Sequence, residues 1–329
     1  MPTGISSTPA RFGYGQSTSD DRNLFLKVFG GEVLTAFTEA VITLDKHTVR
    51  SIEFGKSAQF PKTWKATSEY HEAGSQLLGN DIDTTEINIT IDGLLVSHTA
   101  IYDLDEKMAH FDVTSEFSAE LGRALARGFD KNVLRQIILA ARTSADGPFP
   151  AGNVITDSAL VNSSIAATTG KSWVDHIREA NIALFNKNVP PDMPRYLAVN
   201  ADVFDAIKYA VDSTHGFLVI NRDFGDPQAG GVAGRGDIIM IDGVSIVRSN
   251  LMPTTNETSD TSVYSKYRAN YSTTTGIMWC PGAVGTLKLQ DLAMETERDV
   301  RRQEDFMVAK MAVGHGTLRP ELSVEFKTS

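Results

Sequence analysis

Apolar and polar residues alternate through residues 50–61. Ile52, Phe54, Ala58 and Phe60 fall on even positions, and Ser51, Glu53, Ser57 and Gln59 on odd ones. That is the period of a strand. Lys56 is in phase with the apolar set, so the pattern puts it on their face; buried there, it would need a carboxylate or a backbone oxygen beside it. A second alternation, Ile87-Asn88-Ile89-Thr90-Ile91, ends at Asp92-Gly93. A long polar segment containing Trp64, Tyr70 and Gly74 separates the two runs. A strand pair with so long a tip is marginal in water unless something else covers it.

The period then changes. Phe117, Leu121, Leu125, Phe129, Val133 and Ile137 step by four, which predicts one helix of about six turns with an unbroken apolar stripe. Asp112 or Thr114 is placed to cap it and Glu116 to suit its positive end. Asp146-Gly147-Pro148 closes the segment. Arg123, Arg127, Lys131 and Arg135 also step by four. They fall roughly opposite the stripe. Such a ridge reads either as a solvated face or as a surface facing a polyanion or an acidic partner.

Elsewhere the pattern is shorter-ranged. Residues 24–37 carry Leu26, Phe29, Val33 and Phe37 at helical spacing, interrupted by Gly30-Gly31, which suggests a kink. Residues 150–285 read as a separate α/β unit. Trp173, Ile177, Asn181 and Leu184-Phe185 mark a helix capped by Ser172. Residues 196–199 form a strand leading into a helix over 202–211. Residues 238–241 and 244–247 flank Asp242-Gly243, a two-residue hairpin turn. Residues 224–236 are a glycine-rich loop, and 252–275 are irregular. The chain ends with a charged run over 295–305 and Gly314-His315-Gly316.

Composition narrows the function classes. The 329 residues are 41% apolar with a formal net charge of −10, which argues against tight binding of nucleic acid over a broad face. One cysteine, Cys280, allows no intrachain disulfide and reads as an inert core thiol. No apolar run approaches the roughly 18 residues of a membrane span. The Ser/Thr/Gly/Pro-rich start lacks the plan of a signal peptide and reads as a mobile arm. Gly55-Lys56-Ser57 imitates a phosphate loop, but Arg50 stands where the first glycine belongs and Pro61 follows too soon for a helix. No histidine pairs with another ligand at metal spacing, and His315 reads as structural. The sequence therefore predicts no cofactor, no metal site and no catalytic residue.

Five blocks, 24–37, 49–61, 89–95, 282–293 and 314–321, carry a resemblance in preserved order, most specifically Lys56-Ser57-Ala58-Gln59-Phe60-Pro61. Together the chain resembles the major capsid proteins of short-tailed podoviruses, the autographivirus group of coliphages and cyanophages. The resemblance implies an α+β architecture, the Hong Kong 97 type capsid fold. Its parts would be an N-terminal arm over 1–50, an extended E-loop over 51–86 and a peripheral domain with a spine helix over 87–149. An axial domain over 150–285 and a return segment over 286–329 would complete it. It also implies a structural role without catalysis, assembly into hexamers and pentamers of an icosahedral head around double-stranded DNA, and location in the virion after assembly in the host cytoplasm. Scaffolding protein, a portal and decoration proteins would be partners, and a membrane would not. Ile52, Phe54, Lys56, Phe60, Trp64 and Tyr70 become candidates for contact between subunits. Arg123, Arg127, Lys131 and Arg135 become candidates for a face toward the lumen. An encapsulin-like compartment shell is the nearest alternative, and a cytosolic enzyme built on 150–285 a more distant one.

Overall fold

The computed structural model describes residue 43 and residues 45–329, apart from 72–73, 75, 77–78, 109–112, 163, 213–215 and 218–237. The arm with Gly30-Gly31, the cap at Asp112 and the glycine-rich loop over 224–236 therefore lie outside the described residues.

The step-of-four stripe becomes the long helix of the chain. β1 (Thr48–Ser51), β2 (Ser57–Thr63), β3 (Thr84–Thr90), β4 (Gly93–Tyr102) and α1 (Asp103–Met108) precede it, and α2 runs over Val113–Ala141. Thr114 thus lies inside α2 rather than capping it. Leu121, Leu125, Phe129, Val133 and Ile137 are buried. Toward the C-terminal end the stripe widens until every residue from Val133 to Ile138 is buried. One turn face cannot account for that: this half of α2 is enclosed on all sides.

β12 (Val284–Asp299) and β13 (Glu304–Thr317) form an antiparallel hairpin that the sequence pattern did not predict. β13 pairs with β4, and β1 runs parallel to β12, giving the order β1-β12-β13-β4. The charged run expected near 295–305 is the far end of this hairpin. Gly314 and Gly316 sit where β13 passes β3. A Cβ at Gly314 would lie 2.1 Å from the Thr90 carbonyl oxygen, so the close approach of the two backbones there requires glycine, and one at Gly316 would lie 2.7 Å from the Ile89 side chain.

The second layer holds β5 (Asn153–Thr156), α3 (Ala167–Asn186), β6 (Arg195–Val199), α4 (Ala201–Lys208), the short pair β7 (Val211–Asp212) and β8 (Gly216–Phe217), β9 (Ile238–Ile241), β10 (Val244–Arg248) and β11 (Thr274–Trp279). β14 (Ser323–Lys327) inserts between β5 and β11, giving the order β5-β14-β11-β6-β10-β9. The chain's last strand thus belongs to the sheet of the middle segment, while β12 and β13 belong to the other. The two sheets share one apolar core that includes Phe129, Ile137, Trp173, Trp279 and Phe326.

Local details follow sequence chemistry with one correction. Asp242 and Gly243 both have positive φ, 48° and 76°, as the two-residue turn between β9 and β10 requires. Asn200 caps α4 by accepting from the Val203 N–H at 3.0 Å. Ser172 does not cap α3. The helix starts at Ala167, and Ser172 lies inside it, donating back to the Thr168 carbonyl. Cys280 is fully buried, and burial pushes its thiol up to about 11.

Candidate assembly surfaces

Among the described residues, β2 and β3 pair only with each other, with Ser57 opposite Thr90 and Thr63 opposite Thr84. One further bond, from the Trp64 N–H to the Asp83 carbonyl at 2.9 Å, closes the ladder. Beyond it the described residues of the loop are exposed. Its root is held by the rest of the chain, since Ile89 is buried and Trp64 packs edge-on against Phe149 at 5.5 Å.

The six residues expected to contact a neighbour divide in two. Ile52, Phe60 and Trp64 are half-buried within their own chain. The Ile52 N–H donates to the Lys288 carbonyl at 2.9 Å, and Arg50 lies over the Phe60 ring at 5.5 Å. Phe54 and Tyr70 are wholly outward, 89% and 105% exposed, and Lys56 is exposed too. The alternation does not run unbroken from 50 to 61. Gly55 has φ of 111°, a conformation that interrupts the strand, so β1 ends at Ser51 and β2 begins at Ser57. Within β2 the inward positions are Ala58, Phe60 and Lys62.

Lys62 is the cation this face buries. It lies 4.1 Å from the Phe149 ring centroid and 3.7 Å from Glu321 Oε2. Burial pulls the Lys62 ammonium below its ordinary value, partly offset by the Glu321 charge. Beside this pair opens a cavity of about 460 Å³ between the loop root, the turn after α3 and the turn before β14. Phe60, Trp64 and Met193 give it apolar walls.

The basic ridge on α2 is shorter than its sequence spacing implied. Arg123 and Arg127 both pair with Glu120, at 3.6 and 2.5 Å, and remain about a third exposed. Lys131 is half-buried. Arg135 is not on a surface. It is 6% exposed, and its guanidinium holds Glu257 at 2.8 and 2.9 Å and Asn132 at 2.9 Å. The enclosed half of α2 turns its last ridge residue into a core ion pair.

A buried polar junction, invisible in the spacing of residues, joins the start of the described chain to the hairpin. His47 Nδ1 lies 2.5 Å from the Thr43 carbonyl, so that nitrogen carries the proton and donates. His47 Nε2 then accepts from the Thr286 hydroxyl at 2.8 Å, and the same hydroxyl oxygen accepts from His315 Nδ1 at 2.8 Å. His315 Nε2 is left bare and without a hydrogen-bond partner among the described residues. Burial lowers both rings, His315 to about 3. Phe129 stands against both, at 5.8 and 5.0 Å. Thr43 also donates to Asp130 on α2, and the Tyr267 hydroxyl, which donates to Asp92, receives the His315 N–H. The two glycines around His315 were the only sequence sign of this site.

No helix among the described residues is long and apolar enough to cross a membrane. Groups of three or more His, Cys, Asp or Glu that could hold a metal ion are absent among them.

A two-sheet core joined by a returning C-terminal strand, a long helix and a projecting two-stranded loop are together the phage capsid subunit fold of the Hong Kong 97 type. The chain superposes on the capsid structure of cyanophage P-SCSP1u with a TM-score of 0.76 and 38% identity over 98% of both chains. The mature capsid of bacteriophage PhiM1 gives 0.73 at 20% identity over 98% of this chain and 99% of that one, a likeness of fold. The major capsid proteins of Enterobacteria phage T3 and Escherichia phage T7 are 34% and 32% identical, covering 94% and 93% of this chain and 92% of each relative. A family model described as "Gp10A-like: Major capsid protein" matches residues 59–327, and the chain belongs to that family of phage major capsid proteins. The family is structural, not enzymatic.

Proposed function

We propose that this chain builds the shell of a phage head by assembling into hexamers and pentamers, with double-stranded DNA enclosed. In this reading residues 51–86 are the E-loop, 87–149 the peripheral domain and 150–285 the axial domain. Residues 1–50 form the N-terminal arm, and 286–329 return through both domains. The role is mechanical, without catalysis.

One observation carries the reading: β2 and β3 make a sheet of two strands, bearing a loop on which Tyr70 and Ile82 are exposed. Such a ribbon needs a covering surface, and the described residues of its own chain provide one only at the root. A neighbouring copy completes it. Arg123, Arg127 and Lys131 form the part of the α2 ridge that is left to meet scaffolding protein or packaged DNA. The pairing of Arg123 and Arg127 with Glu120 suits weak contact with a genome that must later leave. A portal and decoration proteins are partners of the assembled shell rather than of this subunit alone. Assembly takes place in the host cytoplasm and the product resides in the virion.

Electron micrographs of the purified chain test this reading. Closed isometric shells are expected, and a monodisperse monomer at all concentrations would overturn it.

A further inference from the structure

The cavity at the loop root is unbalanced in charge. Lys62, Lys65, Lys187 and Arg319 line it against one carboxylate, Glu321. Lys187 spends two bonds on the Ala151 and Gly152 carbonyls, at 2.7 and 3.1 Å. Lys65 and Arg319 have no carboxylate partner among the described residues. Glu321 is 4% exposed, and its Oε2 has no hydrogen-bond partner among the described residues, the ion-paired Lys62 ammonium standing off at 3.7 Å. A buried carboxylate oxygen without a donor is costly, so the site asks for two things at once. It asks for negative charge at its cationic rim and for one neutral donor at Glu321. Phosphate meets the first demand and violates the second, because it would bring a further anion against Glu321.

The chain carries a segment with the complementary chemistry. Residues 66–83 contain Glu69, Glu72, Asp81 and Asp83 and no Lys or Arg. Tyr70 lies among them, fully exposed, with an apolar ring and a hydroxyl that donates. It does not line the cavity of its own chain, and it lies beyond the closure of the ladder at Trp64 and Asp83.

We propose that Tyr70 of one copy enters the loop-root cavity of the next. Its ring lies against Phe60, Trp64 and Met193, its hydroxyl donates to Glu321 Oε2, and Glu69 beside it meets Lys65, Lys187 and Arg319. Loop tip and loop root are different surfaces of one chain, so the contact is head-to-tail and generates a ring where the rotation closes. This rests on the shell reading above and specifies which surface receives the loop.

Zero-length carbodiimide cross-linking of shells assembled from mixed isotopically light and heavy protein tests it without altering the chain. The expected products join Glu69 to Lys62, Lys65 or Lys187 in light–heavy peptide pairs, because the two partners come from different copies. Tyr70→Ala shells should yield at least tenfold less of these pairs, and Tyr70→Phe, which keeps the ring, an intermediate amount. The proposal is overturned if intact shells join Glu69 only to lysines elsewhere, such as Lys131, or only within one copy. It is likewise overturned if Tyr70→Ala leaves the yield unchanged, or forms no particles while the unaltered shells lack the pairs. If the unaltered protein forms no shells at all, the shell reading itself falls first, and this contact with it.

Discussion

Arg135 and Glu257, 122 positions apart in sequence, form a two-bond ion pair at 2.8 and 2.9 Å with both side chains 7% exposed. The pair fastens α2 to the segment leading into β11. Removing one partner leaves the other charge buried alone. Arg135→Ala should therefore destabilise the unassembled subunit by about 3–5 kcal/mol. A paired replacement by apolar residues of similar volume, Arg135→Met with Glu257→Leu, should cost far less. Urea unfolding of the three proteins checks this. Equal losses in the single and double variants would show that the pair is not the cause.

The His47–Thr286–His315 junction predicts sensitivity to acid. Burial lowers both histidines, His315 to about 3. Below the unfolded value of about 6.5 the unfolded chain therefore binds more protons than the folded one, and stability falls as pH drops from there toward 3. Each ring contributes a slope of up to about 1.4 kcal/mol per pH unit. Lys288 disfavours charge on His47 and Asp45 favours it, while Lys266 disfavours it on His315. His315→Gln should lower stability at pH 7 yet flatten the dependence between pH 6.5 and 4. An unchanged slope in urea titrations at several pH values would contradict this account.

Two glycines should respond to alanine in opposite ways. At Gly314 a Cβ meets the Thr90 carbonyl at 2.1 Å, a backbone atom that cannot step aside. Gly314→Ala should cost about 3 kcal/mol. At Gly122, inside α2, nothing lies within 4 Å of the added atom. Gly122→Ala should stabilise by about 0.5–1 kcal/mol through helix propensity. Thermal melts of the two variants should move in opposite directions; a shift of the same sign in both would refute the reading.

How far these features were legible in the sequence depended on whether the cause was local. The α2 stripe and the Asp242-Gly243 turn are set by neighbouring residues, and both were readable. The resemblance carried by 49–61 and 314–321 led to the right family. The β12–β13 hairpin was missed because its far end is rich in exposed charge, including Glu295, Glu297 and Arg298. Its extended form comes from pairing with β4, some 200 residues earlier. Arg135 was misplaced for a similar reason. A period of four says which way it points on an isolated helix, not that Glu257 closes over it. The strand phase likewise failed at Gly55, where a positive φ ended the alternation, and it is Lys62 rather than Lys56 that this face buries in its own chain.

The central claim is that the loop beyond Trp64 and Asp83 serves the neighbouring subunit and not its own. Replacing 66–82 by a short Asn-Gly turn preserves the Trp64–Asp83 closure and tests that claim most directly. Sedimentation velocity with electron microscopy should find a folded subunit, melting within a few degrees of the unaltered one, that forms no closed shells. Shells of normal size and yield from the shortened chain would contradict the account.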